Sequence, residues 1–158
     1  MGQNIPNTEL AADTVQVTKE PAAPTLDEHL GLLAAQAKEK ALTKFGPRIS
    51  GSIEQEFTDL ILPQIESVLG SILNESGESY TYYSIAEEPA GGYGERIFNV
   101  YDELGKKNIA KFHVRRDNRP LEGYYFNFHY HLSSDSFKEH HQIGDIYWNK
   151  NMPPKWMA

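Results

Sequence analysis

Histidines concentrate towards the C-terminal end of this chain, where five of the six lie beyond residue 112. Residues 124–131 (YYFNFHYH) alternate like a half-buried strand, which would place Tyr125, Asn127, His129 and His131 on one face. Imidazole is the side chain best suited to proton transfer near neutral pH and to binding transition metals. We therefore expect any functional site of this chain to lie on that face.

A second alternating segment, residues 109–115, precedes it, and there the apolar side chains also share one face. If the two segments pair as antiparallel strands, both apolar faces should point to the same core. The opposite face would then collect six polar side chains: Lys111, His113, Arg115, Asn127, His129 and His131.

One chemistry that this face suggests is metal-free acid–base catalysis on a phosphodiester. One histidine would accept a proton, another would donate one, and a cation would stabilise the developing charge. The candidate catalytic residues are His129, His131, His113, Arg115 and Asn127.

A metal site is the second hypothesis, with a divalent transition metal such as zinc as the candidate cofactor. The candidate ligands are His129, His131, His140, His141 and Asp145, with Asp135 or Glu139 as further choices. The third hypothesis is structural: the aromatic and histidine side chains would be amphipathic surface residues covered by the C-terminal tail. The pattern alone does not choose among the three.

Composition excludes several classes of site. The chain has no cysteine, so disulfides and thiolate sites are excluded, and it lacks the helical zinc-protease, nucleophile-elbow and phosphate-loop motifs. Residues 101–158 carry nine basic and seven acidic groups, too weak an excess to indicate nucleic acid. No apolar run approaches the roughly 18 residues of a membrane span. No partner is indicated, and this chain alone suggests a cytoplasmic protein.

The expected organisation is a disordered leader, residues 1–24, before a single α+β domain, residues 25–158, that is helical over 25–76 and β-rich over 79–158. A capping box at Thr25 predicts the first helix, which should end before Gly46 and Pro47. A second capping box at Ser52 predicts another helix, kinked or split at Pro63.

The β-rich half predicts an antiparallel meander of about four strands, on which the N-terminal helices pack. The strands are expected near residues 80–85, 96–101, 109–116 and 124–131. A short C-terminal helix should begin at Ser133 or Ser134 and run to about Gln142, stopped by Gly144. An aromatic, proline-rich tail should then pack over the sheet.

Several motifs together resemble the YpjP-like proteins of Bacillus and relatives over about residues 40–158. They are residues 44–49 (KFGPRI), 57–63 (FTDLILP), 112–117 (FHVRRD), 125–131 (YFNFHYH), 140–148 (HHQIGDIYW) and 153–156 (PPKW). This resemblance brings no known reaction with it. It implies an envelope-associated or secreted protein, because members look to have an apolar N-terminal segment, whereas this chain begins with a polar leader.

Residues 110–157 are also similar to C-terminal toxin domains of bacterial polymorphic toxins, several of which are nucleases. We therefore expect a YpjP-like protein with a C-terminal histidine and aromatic cluster, envelope-associated and non-enzymatic. The alternative is a histidine-dependent nuclease or hydrolase, with or without a metal.

Overall fold

The computed structural model describes residues 23–92 and 94–157, in which two α-helices precede a five-stranded antiparallel sheet. Helix α1 spans Leu26–Glu56 and helix α2 spans Leu62–Glu75, with a π-helical turn, Phe57–Ile61, between them. The strands follow in the order β1 Tyr83–Ala86, β2 Arg96–Asp102, β3 Lys107–Arg119, β4 Gly123–Leu132 and β5 His141–Asn149. The predicted α+β fold is confirmed, whereas the predicted disordered leader lies outside the described residues except for its last two positions.

Helix α1 begins where the sequence predicts. Thr25 forms a complete capping box: its Oγ1 accepts from the Glu28 amide at 3.1 Å, and its own amide donates to the Glu28 carboxylate at 2.9 Å. The predicted second capping box at Ser52 is wrong, because Ser52 lies inside α1. The helix resumes at Pro47 instead, since the fixed φ of proline suits a first helical turn.

Gly46 marks the break in α1, with φ 79° and ψ 162°. A side chain is strained in that conformation, so we expect Gly46→Ala to lower the free energy of unfolding by roughly 1–3 kcal/mol. Gly51→Ala is the matched control, because a Cβ added there meets nothing within 4 Å. It should raise stability by about 0.5–1 kcal/mol. Urea unfolding of both variants measures these changes in the free energy of unfolding, and equal changes in the two variants would contradict the strain at Gly46.

The predicted interruption at Pro63 takes the form of the π-helical turn. Proline has no amide hydrogen, and its ring would clash with the carbonyl four residues earlier. The chain responds with a wider turn, in which the Leu62 amide donates to the Phe57 carbonyl five residues back.

The predicted C-terminal helix is wrong, because residues 141–149 form β5, a fifth strand beside β4. Ser136 and Phe137 both have left-handed φ values, which end the preceding 3-10 turn, Ser133–Asp135, before a helix can grow. Gly144 does not stop a helix but lies in β5, where a Cβ would come 2.9 Å from the Ile61 side chain.

One face of the sheet packs on the helices around an aromatic core. Phe45 lies with its ring centroid 5.5–6.3 Å from those of Phe57, Phe126, Phe128 and Trp156. Trp156, in the C-terminal tail, is only 4% exposed. The tail therefore packs over the sheet as predicted, but on the helix-covered face. No helix within the described ranges is long and apolar enough to span a bilayer.

Candidate metal centre

Strands β3 and β4 pair in the register that the alternating sequence predicts. His113 lies opposite His129, Lys111 opposite His131, and Arg115 opposite Asn127. The intervening apolar side chains of both strands are buried on the helix side of the sheet. The polar face predicted from alternation is thus formed, on the side of the sheet away from the helices.

Three histidines on this face form one compact group, here called the histidine cluster: His113, His129 and His131. Their ring centroids lie 4.9–5.5 Å apart. Each offers a nitrogen that lies within 4.8 Å of the nitrogens offered by the other two. Such spacing allows one ion to contact all three rings with little side-chain movement, because zinc–nitrogen bonds measure about 2.0–2.1 Å.

Most nitrogens of the buried rings have no hydrogen-bond partner among the described residues. His129 is fully buried and His131 is 7% exposed. Both nitrogens of His129 and Nδ1 of His131 are unpartnered. Glu95 Oε1 lies 3.5 Å from His129 Nε2, beyond the usual length of a hydrogen bond. Buried polar atoms are rarely left in this state in native proteins.

Burial keeps the cluster uncharged at neutral pH. Desolvation, followed by repulsion from His131, lowers the pKa of His113 to about 4. Desolvation, followed by repulsion from His113 and His140, lowers the pKa of His129 to about 4. The pKa of His131 is also lowered, mainly by burial. Neutral imidazole is the form that binds metal ions.

His140 is exposed and contacts the cluster from outside. Its ring stacks on His129 with centroids 4.7 Å apart and meets His131 at 4.6 Å. It follows the turn at Ser136 and Phe137 and precedes β5. The structure therefore places His140 beside His129 and His131, as a fourth imidazole at the edge of the site.

The other predicted ligands lie away from the cluster: His141 forms a second group with Asp135 and Glu139, whose ligand atoms lie within 4.8 Å of one another, and Asp145 lies in a polar network. His141 points to the opposite face of the sheet, where it stacks on Tyr130 and its Nε2 lies 3.4 Å from Asp135 Oδ2. Asp145 accepts a hydrogen bond from Asn127 Nδ2 at 2.8 Å and forms an ion pair with Arg119 at 3.0 Å. His140, just before β5, contacts His129 and His131 on the other face instead.

Arg115 and Asn127, two of the predicted catalytic residues, belong to a polar network beside the cluster. Arg115 donates to Asp117 at 2.7 Å and to the Asn127 side chain at 3.3 Å. Asn127 also donates to Gln142 at 2.8 Å. Because these groups satisfy one another, the network is suited to holding the sheet face rigid.

Glu95 is a site residue that the sequence analysis missed. It lies directly before β2, at the end of a glycine-rich segment that reads as an ordinary loop. Its carbonyl accepts from the Val114 amide at 2.9 Å, which extends the pairing with β3 and brings its carboxylate to His129. No local pattern in the sequence marks it, because only the pairing of β2 with β3 brings its neighbour Arg96 opposite His113.

Lys44 holds the segment that carries Glu95, and it too was missed. Its ammonium, on a fully buried residue, donates to the carbonyls of Ala90 and Gly94 and lies 5.0 Å from the ring centroid of Trp156. Burial, aided by Arg96, lowers the pKa of Lys44 to about 8. Helix α1, the C-terminal tail and the segment that carries Glu95 therefore meet at one buried cation.

Comparison with known proteins shows that this chain matches one protein family and is similar to one curated bacterial protein. The family profile described as "YpjP-like protein" matches residues 25–156. The chain is 43% identical over 128 residues to "Uncharacterized protein YpjP" of Bacillus subtilis (strain 168). That match covers 80% of this chain and 63% of the relative, so the chain spans less than two thirds of the relative's length. No solved structure gives a significant match.

Proposed function

The chain belongs to the YpjP-like protein family, and we propose that it binds one divalent transition-metal ion at the histidine cluster. The observation that carries the proposal is the set of buried imidazole nitrogens without partners among the described residues. Leaving such a group unsatisfied costs roughly 1–3 kcal/mol. Coordination of an ion would satisfy several of these groups together.

Zinc is the ion that the donor set suits best. Three imidazole nitrogens without sulfur are typical of zinc sites, although copper and nickel also bind imidazole. Because the pKa values of His113 and His129 lie near 4, no proton needs to leave these rings when an ion binds at neutral pH.

A metal-dependent hydrolase is the second candidate function, and the position of Glu95 favours it. Three protein ligands leave one position of a zinc tetrahedron open, which catalytic sites use for water. An ion held by the three histidines would supply an activated water, and the Glu95 carboxylate, 3.5 Å from His129 Nε2, would be the base that accepts its proton. Metal-free acid catalysis is less well supported, because His113 and His129, with pKa values near 4, are not protonated to the acidic imidazolium at neutral pH.

A purely structural role for the cluster has less support than metal binding. The C-terminal tail packs on the helix side of the sheet, through Trp156 and Phe126, and so does not cover the histidines as that hypothesis requires. Envelope association, a non-enzymatic role and the likeness to polymorphic-toxin domains stay predictions from sequence resemblance.

Cobalt provides a direct test of metal binding, because tetrahedral Co²⁺ absorbs visible light strongly and octahedral Co²⁺ weakly. Titrating metal-free protein with Co²⁺ should give intense absorption that saturates at one ion per chain, and zinc should displace it. His131→Ala should abolish the intense bands, whereas His141→Ala, on the opposite face, should retain them. Weak octahedral absorption in the wild type would contradict the proposal.

A further inference from the structure

A cleft of about 510 Å³ opens on the same face of the sheet as the histidine cluster, with His113 in its wall. This volume is within the range of small-molecule sites. The side chains that matter for recognition are Glu95, Arg96, Asn99, Asn108 and Lys111. A ligand in the cleft would therefore lie next to the proposed metal position.

Lys111 contributes a cation that forms no ion pair with a described carboxylate, in a cleft that Arg96, Glu87 and Glu95 also line. The Lys111 ammonium lies 4.3 Å from the ring centroid of Phe137, and no described carboxylate comes within ion-pair distance of it. Arg96, by contrast, pairs with Glu87 at 3.3 Å. A cation held beside a metal site without a counter-ion suits an anionic group of a ligand.

Asn99 provides an independent sign of a ligand. It is 5% exposed, and its Oδ1 is buried with no hydrogen-bond partner among the described residues. Asn99, Lys111 and His131 lie opposite one another on three neighbouring strands, in one row across the sheet face. Neighbours in such a row are roughly 5 Å apart, so one small molecule can contact both the row and the metal.

We propose that this cleft binds a small phosphomonoester and that the metal centre hydrolyses it, an inference that rests on the proposed metal binding. Lys111, a divalent ion and the Glu95 carboxylate would together carry a net charge of about +2, which balances the roughly −2 of one phosphomonoester group. Asn99 Oδ1 would accept a hydrogen bond from a hydroxyl or N–H of the alcohol portion. A nucleic-acid strand needs several free cations along its backbone, and the described residues of this cleft offer one, Lys111.

The reaction consumes one water and needs no other co-reactant. The water oxygen forms a bond to phosphorus, and one of its protons passes to the Glu95 carboxylate. The bond between phosphorus and the ester oxygen breaks on the side opposite the attacking water, so the departing oxygen takes a proton from solvent and Glu95 releases its proton to solvent. The products are an alcohol and inorganic phosphate, and Glu95 returns to its ionised state.

The test uses the zinc-loaded full chain with p-nitrophenyl phosphate, bis(p-nitrophenyl) phosphate and p-nitrophenyl acetate, with bound zinc measured in every sample. We expect turnover of the monoester to exceed that of the diester and the acetate. Lys111→Gln should raise KM roughly 10- to 100-fold with zinc content unchanged. Glu95→Gln should lower kcat roughly 100- to 10,000-fold. Lys107→Gln, exposed at the first position of β3, is the matched control and should behave as wild type.

The outcomes separate the two proposals. Bound zinc without monoester turnover, or turnover in which Lys111→Gln equals wild type, would overturn the phosphomonoester site and leave metal binding intact. Faster cleavage of the diester than of the monoester would overturn the phosphomonoester proposal and indicate a phosphodiester substrate, as for a nuclease. Absence of bound zinc would remove the metal proposal itself. Competitive inhibition by inorganic phosphate, weakened in Lys111→Gln, would support the cleft independently of the chosen ester.

Discussion

Zinc should raise the midpoint of thermal unfolding of the metal-free wild-type chain by about 5–10 °C when present at roughly 100 times its Kd. Binding only to the folded state contributes about 2.7 kcal/mol at that ratio, and 1 kcal/mol corresponds to about 2–4 °C in a domain of this size. Scanning calorimetry with and without zinc measures the shift directly.

The same scans on His129→Ala should show no zinc-dependent shift, because two of the unpartnered nitrogens and one ligand are removed. His141→Ala is the control and should shift as wild type does, since its ring lies on the other face beside Tyr130. The comparison is made within each variant, so a lower starting midpoint does not affect it. If zinc raised the unfolding midpoint of His129→Ala as much as that of wild type, the ion would bind at a site other than the histidine cluster.

Acid should destabilise the metal-free chain well above the pH at which carboxylates titrate. In the folded state the pKa of His129 is about 4, whereas in the unfolded chain it returns to about 6.5. Between these values the unfolded state binds more protons, so the free energy of unfolding falls as pH falls. Relative to pH 7, protonation of His129 alone should lower the free energy of unfolding by about 2 kcal/mol at pH 5 and by about 3 kcal/mol at pH 4. His113, whose pKa is also lowered, should lower it further.

Urea unfolding between pH 5 and pH 7 measures this effect in the presence of a chelator. His129→Leu, which cannot take up a proton, should flatten the pH dependence over that interval. Saturating zinc should flatten it as well, because bound rings resist protonation. Stability that stays constant from pH 7 to pH 5 in metal-free wild type would show that the cluster is hydrated and not buried as described.

The polar face could be predicted because apolar and polar side chains alternate along β3 and β4, and the apolar side of each strand faces the helix-covered core. A slip of one residue would have moved Phe112 and Phe128 out of the core, so the register that joins His113 to His129 was strongly favoured. The start of helix α1 could likewise be predicted, because the Thr25 capping box that determines it is contained within four consecutive residues.

The remainder of the site depends on contacts distant in sequence, which composition and periodicity do not encode. Glu95 reaches His129 through pairing between β2 and β3, and Lys44 holds the segment that carries Glu95 from helix α1. The assignment of His141 failed for a different reason. A turn of two left-handed residues leads into a fifth strand that begins at His141, whose ring stacks on Tyr130, while His140 just before the strand contacts His129 and His131 on the other face.

The metal content of untagged protein, measured by elemental mass spectrometry after zinc loading and dialysis, shows whether the histidine cluster binds an ion. Wild type should retain close to one zinc ion per chain, and the double variant His129→Ala/His131→Ala should retain almost none. His141→Ala should match wild type. A wild-type chain that is folded and metal-free after this treatment would contradict the account, and so would equal zinc in the double variant.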